Sequence, residues 1–212
     1  MLAALEVRYG AAFRVITHAE NRGYGVALRS GFEAARKDFV FYTDGDGQYD
    51  VGELPKLLDC MASDVGLVNG FKLERHDPWH RIAIGTVYNH FARLVFGIKI
   101  RDIDCDFRLI RRILLEEVKL SSTSGTICVE LVRTLELSRY RVIETGVRHY
   151  PRLHGRSQFF RFRSLLITVY QLSRLYVRLV VAPALTGKDR RLSPMSHDKL
   201  VLSDAFHRHP HS

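Results

Sequence analysis

Cysteine is scarce in this sequence, and no two cysteines are close together. Cys60, Cys105 and Cys128 are the three cysteines among 212 residues, and they form no Cys-x-x-Cys pair. A disulfide framework and a thiolate zinc site therefore both lack support. This cysteine usage is typical of a protein in a reducing compartment.

Long apolar runs are also lacking. The first ten residues contain Glu6 and Arg8, so they do not resemble a signal peptide, and we do not expect export. A later apolar stretch, 162–181, has two arginines near its middle, which makes it costly to place across a bilayer. With 46% hydrophobic and 26% charged residues, the chain is a packed protein rather than a collagenous or wholly disordered one. Its length suits one α/β domain, with or without an appendage.

Acidic residues are scarce in the C-terminal third. Between Arg139 and Arg191 there are 12 Lys and Arg but only two acidic residues, Glu144 and Asp189. The rest of the chain has 20 positive and 21 negative residues, so the net charge of +9 belongs to this third. Of the 32 cationic residues 25 are Arg, whose guanidinium suits bidentate contacts to phosphate. Phosphate is therefore the leading candidate partner.

Apolar runs and helical spacings alternate along the chain. The predicted strands are 13–17, 39–43, 65–69 and 141–149. A helix is predicted to end at Lys37, and further helices are predicted over 53–61, 80–96, 126–138 and 162–181. Such alternation indicates a parallel sheet flanked by helices, in which functional residues follow the carboxyl ends of strands.

An acidic, glycine-containing segment follows the apolar run 39–43. Asp44 and Asp46 stand two residues apart with glycines beside them, and Gln48 follows. Carboxylates at this spacing can converge on one hard cation, and oxygen ligands favour magnesium or manganese over zinc. The alternative is an ordinary Asp/Gly surface turn.

Three further acids, Asp102, Asp104 and Asp106, occupy alternate positions. They are either a second cation site or part of a catalytic constellation, or they cap the next helix and pair with nearby arginines (Arg101, Arg108, Arg111 and Arg112). Glu130 stands in an apolar helical context. It is either buried against an arginine or directed into a site.

The segment from Tyr150 to Gln158 contains two arginines, a histidine, a serine and a glycine. Such a loop offers several phosphate donors and enough backbone freedom to close over a ligand. The alternative is a solvated basic loop beside a membrane or a nucleic acid.

Four short segments, in this order, resemble family 2 glycosyltransferases of the GT-A fold. They are 21–32 (NRGYGVALRSGF), 44–48 (DGDGQ), 102–112 (DIDCDFRLIRR) and 150–160 (YPRLHGRSQFF). Within this family, the chain resembles the branch that contains dolichyl-phosphate mannosyltransferase and the bacterial polyprenyl-phosphate glycosyltransferases. The resemblance covers about residues 13–163. It implies an α/β fold with a Rossmann-like mixed sheet flanked by helices.

The resemblance implies a set of roles at the donor side of the site. Asp44 would contact the nucleotide-sugar, and Asp46 and Gln48 would hold Mg2+ or Mn2+ on its diphosphate. Asp104 would orient the sugar or the acceptor.

It also implies contacts to phosphate groups. Lys72 and Arg81 would bind the phosphate of a polyprenyl acceptor, and Arg152 and Ser157 would close over both phosphate groups. The reaction would then transfer the sugar with inversion. The expected catalytic set is Asp44, Asp46, Asp104 and Arg152.

The family pattern also implies a division of the chain. Residues 1–160 would form a GT-A domain that lacks the family's first two strands, which carry a Pro-x-Tyr-Asn-Glu-like motif and a pair of acidic residues. Residues 161–185 would form an amphipathic helix on an anionic membrane surface, with Gln171, Arg174 and Arg178 opposite its apolar stripe. Alternatively, that stripe packs on the protein's own sheet. Residues 186–212 are expected to be a disordered tail, and the protein to lie on the cytoplasmic face of a membrane.

Two other classes of protein compete with the enzyme. An inactive, membrane-docked fragment or partner subunit would keep the fold and the basic helix, and the missing strands favour it. A nucleic-acid-binding protein would explain the basic third, but no recognised binding motif accompanies the charge, and we expect no nucleic-acid partner.

Overall fold

A four-stranded mixed sheet forms the centre of the protein. The computed structural model describes residues 2–74, 79–151 and 162–186. The strands are β1 (Phe39–Thr43), β2 (Val65–Lys72), β3 (Phe107–Arg111) and β4 (Arg141–Val147), in the order β1-β3-β2-β4. β2 and β4 run parallel, whereas β3 is antiparallel to both of its neighbours. The prediction of a parallel sheet from the alternating pattern is therefore wrong, and the mixed sheet implied by the family resemblance is confirmed.

Helices cover both faces of this sheet. They are α1 (Leu2–Tyr9), α2 (Tyr24–Ala34), α3 (Leu54–Asp59), α4 (Trp79–Phe96), α5 (Arg112–Glu117), α6 (Thr126–Glu136), α7 (Phe162–Tyr176) and α8 (Ala182–Thr186), with a π-helical turn, Val177–Val181, between the last two. Leu67 and Ile110 pack under α4, α6 and α7, whereas Val68 and Leu109 pack under α3. Burial of both faces explains why the strand sequences are nearly continuous apolar runs.

Among the four strands of the sheet, β3 was not predicted from the sequence pattern. All five of its residues are buried, although two of them are arginines. Arg108 donates to Asn69 Oδ1 at 2.5 Å, and Arg111 donates to the carbonyls of Val65 and Ala62, both at 2.8 Å. Buried charged groups need such partners, and these partners come from distant parts of the chain. The acids before β3 therefore precede a strand, so the alternative in which they cap a helix is wrong, whereas the pairing of Asp106 with Arg108 is present.

The predicted strand at 13–17 is wrong. This segment is not part of the sheet, and Phe13 donates its N–H back to the Gly10 carbonyl at 3.0 Å. A β-prone segment becomes a strand only when a neighbour completes its hydrogen bonds, and no strand of the described chain lies beside it.

The C-terminal helical segment is interrupted by the π-helical turn, and its apolar residues face both the core and the outside. Leu172, Leu175 and Leu179 are buried in the core, so part of the predicted apolar stripe packs on the domain. Other apolar residues of α7 face outward, among them Ile167 and Tyr170. Within the described ranges, no helix is both long and apolar enough to cross a membrane.

Candidate active site

The acidic loop begins where β1 ends at Thr43. Asp46 Oδ1 accepts the Gln48 N–H at 3.1 Å, and Gly47 has a φ of 74°, a left-handed conformation that favours glycine. Asp44 Oδ1 accepts a hydrogen bond from Tyr24 Oη at 3.2 Å. Since Tyr24 is the first residue of α2, this bond joins a strand end to a helix N-terminus.

Asp106 lies at the same end of the sheet as Asp44. β1 and β3 are antiparallel with Thr43 opposite Phe107, so Asp44 follows the end of β1 and Asp106 precedes the start of β3. Besides burial, the charges of both carboxylates raise the pKa of the Tyr24 phenol, which lies near them. Two carboxylates from separate parts of the chain thus meet at one end of the sheet.

The Asp106 carboxylate is held through one of its oxygens. Oδ1 accepts from Tyr42 Oη at 3.4 Å and from Cys128 Sγ at 3.3 Å, and it lies 3.5 Å from Arg108 Nη1. No donor among the described residues reaches Oδ2, and the side chain is 16% exposed. Asp106 therefore presents a fixed acceptor oxygen beside Asp44. The position of Asp106 depends on β3, so no local pattern in the sequence distinguishes it from the neighbouring acids.

The tyrosines of the site remain neutral donors. Burial raises the pKa of Tyr24, and the nearby Cys128 and Asp106 raise it further. Burial also raises the pKa of Tyr42, an effect that the Arg108 guanidinium opposes. Both phenols therefore keep their protons at neutral pH and donate to the two carboxylates.

Lys72 is engaged with the segment that precedes β3. Its Nζ donates to the Asp104 carbonyl at 2.8 Å and lies 3.5 Å from Asp102 Oδ2. Asn89 of α4 holds the same segment, because its Oδ1 accepts the Ile103 N–H at 3.3 Å. The acceptor-phosphate role of Lys72 stays a prediction, and the structure places this cation in an acidic environment next to Asp104.

Asp104 has a perturbed carboxyl group. Burial raises its pKa to about 6, the Lys72 charge opposes this, and the charges of Asp102 and Asp106 add to it. Because the folded-state pKa exceeds the ordinary value of about 4, folding stability falls as pH rises from about 4 through 6. The charged carboxylate is thus a cost at neutral pH.

We expect Asp104→Asn to stabilise the chain at pH 7.5 by about 1–2 kcal/mol, with the gain vanishing near pH 4. Urea unfolding at both pH values measures this. The matched control is Asp50→Asn, at an exposed carboxylate that caps a turn through the Gly52 N–H, and it should show no such gain. A gain from Asp104→Asn that is equal at both pH values would contradict the pKa assignment.

Gln48 joins the acidic loop to the end of β4. Its side chain is buried, and Nε2 lies 3.1 Å from His149 Nε2. Nε2 also donates to the Tyr150 carbonyl at 3.2 Å. Tyr150 N–H donates to the Gln48 carbonyl at 2.8 Å. The metal-ligand role of Gln48 stays a prediction. Its contacts show that the acidic loop and the chain leading to Arg152 form one unit.

The side chains of three predicted site residues lie outside the part of the chain that the structure describes. Arg152 and Ser157 lie outside the described residues, and Arg81 is placed on α4 without a described side chain. In the part of the chain that is described, no group of three or more His, Cys, Asp or Glu side chains has metal-binding geometry. Mg2+ commonly takes one or two carboxylate ligands from a protein and its remaining ligands from substrate phosphates and water. The single carboxylate of Asp46 is compatible with such a site.

Glu130 is buried against an arginine, one of the two alternatives that the sequence left open. Its carboxylate pairs with Arg178 and accepts the N–H groups of Ser121 and Ser122 at 2.9 and 2.8 Å. These hydrogen bonds and the arginine lower its pKa against the opposing effect of burial. Glu130 thus has a structural role in the described chain.

A mixed sheet with carboxylates at the end of β1, beside a helix N-terminus, defines a GT-A-like class of protein. Its fold is similar to glucosyl-3-phosphoglycerate synthase from Mycobacterium tuberculosis, crystallised with Mn2+, UDP and phosphoglyceric acid, with a TM-score of 0.54 and 15% identity over 77% of this chain and 56% of that one. Mannosyl-3-phosphoglycerate synthase from Rubrobacter xylanophilus gives a TM-score of 0.50 and 18% identity over 85% and 56%. The model of glycosyl transferase family 2 matches residues 3–119, and the chain belongs to this family.

Curated relatives of similar sequence are named as polyprenyl-phosphate sugar transferases. The undecaprenyl-phosphate 4-deoxy-4-formamido-L-arabinose transferase of Aeromonas hydrophila is 28% identical over 66% of this chain and 42% of its own length. The dodecaprenyl-phosphate galacturonate synthase of Rhizobium johnstonii is 25% identical over 80% of this chain and 50% of its own length. The polyprenol monophosphomannose synthase of Mycolicibacterium smegmatis is 29% identical over 52% of this chain and 45% of its own length. The chain thus spans half or less of the length of these relatives.

Proposed function

We propose that this chain is the part of a glycosyltransferase that moves a sugar from a nucleoside diphosphate to a polyprenyl phosphate, with inversion. The observation that carries the proposal is the pair Asp44 and Asp106, set on adjacent strand ends beside the N-terminus of α2. Family membership and the names of the relatives support this reaction class.

The donor binds at the acidic loop in this proposal. Asp44 contacts the nucleotide-sugar, and Asp46, with Gln48, holds Mg2+ or Mn2+. When bound, the cation neutralises the charge that develops on the departing nucleoside diphosphate. Asp106 accepts a hydroxyl of the sugar through Oδ2, and Asp104, whose carbonyl accepts from Lys72, orients the sugar or the acceptor.

The acceptor needs no strong base. A phosphate monoester with a second pKa of about 6 is already an anionic nucleophile at pH 7. The cationic residues Lys72, Arg81 and Arg152, with the hydroxyl of Ser157, bring this phosphate against the donor diphosphate. Positioning and neutralisation of two repelling anions therefore carry the reaction.

Calorimetric titration with nucleotide-sugars in the presence of Mn2+ tests the proposal against the inactive alternative. An enzyme should show saturable, Mn2+-dependent binding of one nucleotide-sugar, which Asp44→Ala abolishes. A folded chain, and a longer protein containing it, that bind no nucleotide-sugar would favour the docked fragment or partner subunit.

Two helices support a membrane surface as the place of this reaction. On α4, Ile84, Val87, Phe91 and Leu94 are exposed at helical spacing. On α7, Ile167 and Tyr170 are exposed, and the two helices meet where the buried ring of Phe96 is in edge contact with Tyr176 at 6.1 Å. Neither 79–96 nor 162–186 contains an acidic residue. This apolar and basic surface suits anionic lipid.

The inward face of α4 connects that surface to the site. Asn89 faces inward and binds the segment with Asp104, whereas Phe91 faces outward. A helix is about 10 Å across, so lipid head groups on α4 would lie one helix diameter from the carboxylates. This spacing suits an acceptor whose phosphate is anchored by a hydrocarbon chain.

We expect the intact chain to float with anionic liposomes, and added salt to weaken the association without abolishing it. Phe91→Glu with Leu94→Glu should remove most of the flotation, because both side chains are exposed. Leu58→Glu, at an exposed apolar position on α3, is the matched control and should float normally. Deleting α7 is a poorer test because its inward leucines belong to the core. An intact chain that stays unbound at low salt would contradict the membrane placement.

A further inference from the structure

The loop from Leu120 to Gly125 lies directly against the start of α2. Gly25 donates its N–H to the Thr123 carbonyl at 2.9 Å, and a Cβ on Gly25 would overlap the Ser122 carbonyl. Gly23 has a φ of 91°, and a Cβ there would lie 2.5 Å from the Thr123 carbonyl oxygen. These glycines allow two backbones to approach closely, so the loop fixes the position of the α2 N-terminus.

The same loop is held from the other side by Gln171 of α7. Gln171 Oε1 accepts the N–H groups of Thr123 and Ser124, both at 3.2 Å, and the hydroxyls of Ser124 and Thr126, at 3.0 and 2.9 Å. Its Nε2 donates to Thr123 Oγ1 at 2.7 Å. One amide side chain therefore satisfies most of the polar groups on this side of the loop.

A continuous path of contacts links Gln171 to the donor side of the site. Gln171 holds Thr123, Thr123 accepts the Gly25 N–H, and the neighbouring Tyr24 donates to Asp44. We propose that Gln171 is a positioning residue for the donor site: it sets the α2 N-terminus so that the Tyr24 hydroxyl meets Asp44. The proposal rests on the proposed function, in which Asp44 contacts the nucleotide-sugar.

Other contacts keep α7 in place without Gln171. Leu172 and Leu175 are buried in the core, and Arg178 binds Glu130 and donates to Ser121 Oγ at 2.6 Å. Loss of the Gln171 amide should therefore loosen the loop and the α2 N-terminus while the helix stays docked. This separation makes the proposal testable.

The first test is amide hydrogen exchange on the 212-residue chain. In Gln171→Ala, we expect exchange in 24–28 and 123–126 to speed up about tenfold or more, with β2 and β3 unchanged. Gln171→Glu keeps the accepting oxygens and should restore most of the protection. Ser173→Ala is the matched control, because that exposed hydroxyl donates only to the Val169 carbonyl of its own helix.

The second test measures the steady-state kinetics of sugar transfer. Gln171→Ala should raise the KM for the nucleotide-sugar about tenfold and leave the KM for the lipid phosphate unchanged. Unchanged exchange in 24–28, exchange that speeds up throughout β2 and β3, or an unchanged donor KM would each overturn the positioning role. If the wild-type protein binds no nucleotide-sugar, the proposed function fails, and the exchange result alone then decides whether Gln171 fixes Tyr24.

Discussion

Asp46→Ala is expected to lower Mn2+-dependent turnover about a hundredfold or more. The Asp46 carboxylate lies on a turn that it forms with the Gln48 N–H, next to Asp44 at the end of β1. A cation held there would stabilise the leaving nucleoside diphosphate, and loss of such stabilisation costs several kcal/mol of the barrier. Steady-state rates at saturating Mn2+ measure the effect.

Asp50→Ala is the matched control for this experiment. Asp50 belongs to the same loop, but its carboxylate accepts the Gly52 N–H at 2.8 Å and caps the following turn. Its loss should cost some stability and little turnover. Zn2+ should substitute poorly for Mn2+, given the oxygen ligands. Near-normal turnover in Asp46→Ala would remove the metal assignment.

Arg108→Met should lower the free energy of unfolding by about 3–5 kcal/mol. The Arg108 guanidinium is completely buried, donates to Asn69 and the Ile103 carbonyl, and contacts Tyr42 and Asp106. Without it, the Asp106 charge and the Ile103 carbonyl lose their partner in a water-poor interior. Urea unfolding followed by circular dichroism measures the loss.

Arg112→Met is the control for the Arg108 experiment, because Arg112 follows β3 and binds Glu116 at the exposed surface. It should change the free energy of unfolding by less than about 1 kcal/mol. Arg108→Lys keeps the charge without the guanidinium fork, so its free energy of unfolding should lie between those of Arg108→Met and Arg112→Met. A wild-type unfolding midpoint in Arg108→Met would show that the buried network around Asp106 does not stabilise the fold.

Local sequence patterns were sufficient for several elements. Strands β1, β2 and β4 and the helices α4 and α6 lie within a few residues of their predicted bounds. Their apolar spacing is a property of consecutive residues and needs no knowledge of neighbours. Three of the four motifs lie within the residues that the family model matches, and each of them is read from a short stretch of chain.

The site could be predicted only in part. Asp44 and Asp46 follow an apolar strand, so their place at a sheet end was visible in the sequence. The place of Asp106 near Asp44 depends on the pairing of β3 with β1, in which Phe107 lies opposite Thr43, and the role of Asp104 stays a prediction. Register depends on hydrogen bonds between distant segments, and no spacing within 102–112 reveals it.

The sequence by itself determined the family, the acidic loop after β1 and the basic character of the C-terminal third. Tertiary structure decided three further points: that the arginine-containing β3 is a central strand, that Asp106 lies at the same end of the sheet as Asp44, and that Gln171 is turned toward the domain. The physical reason is the same in each case. A buried arginine, carboxylate or amide is tolerated only where distant groups complete its hydrogen bonds, and the folded chain alone brings those groups together.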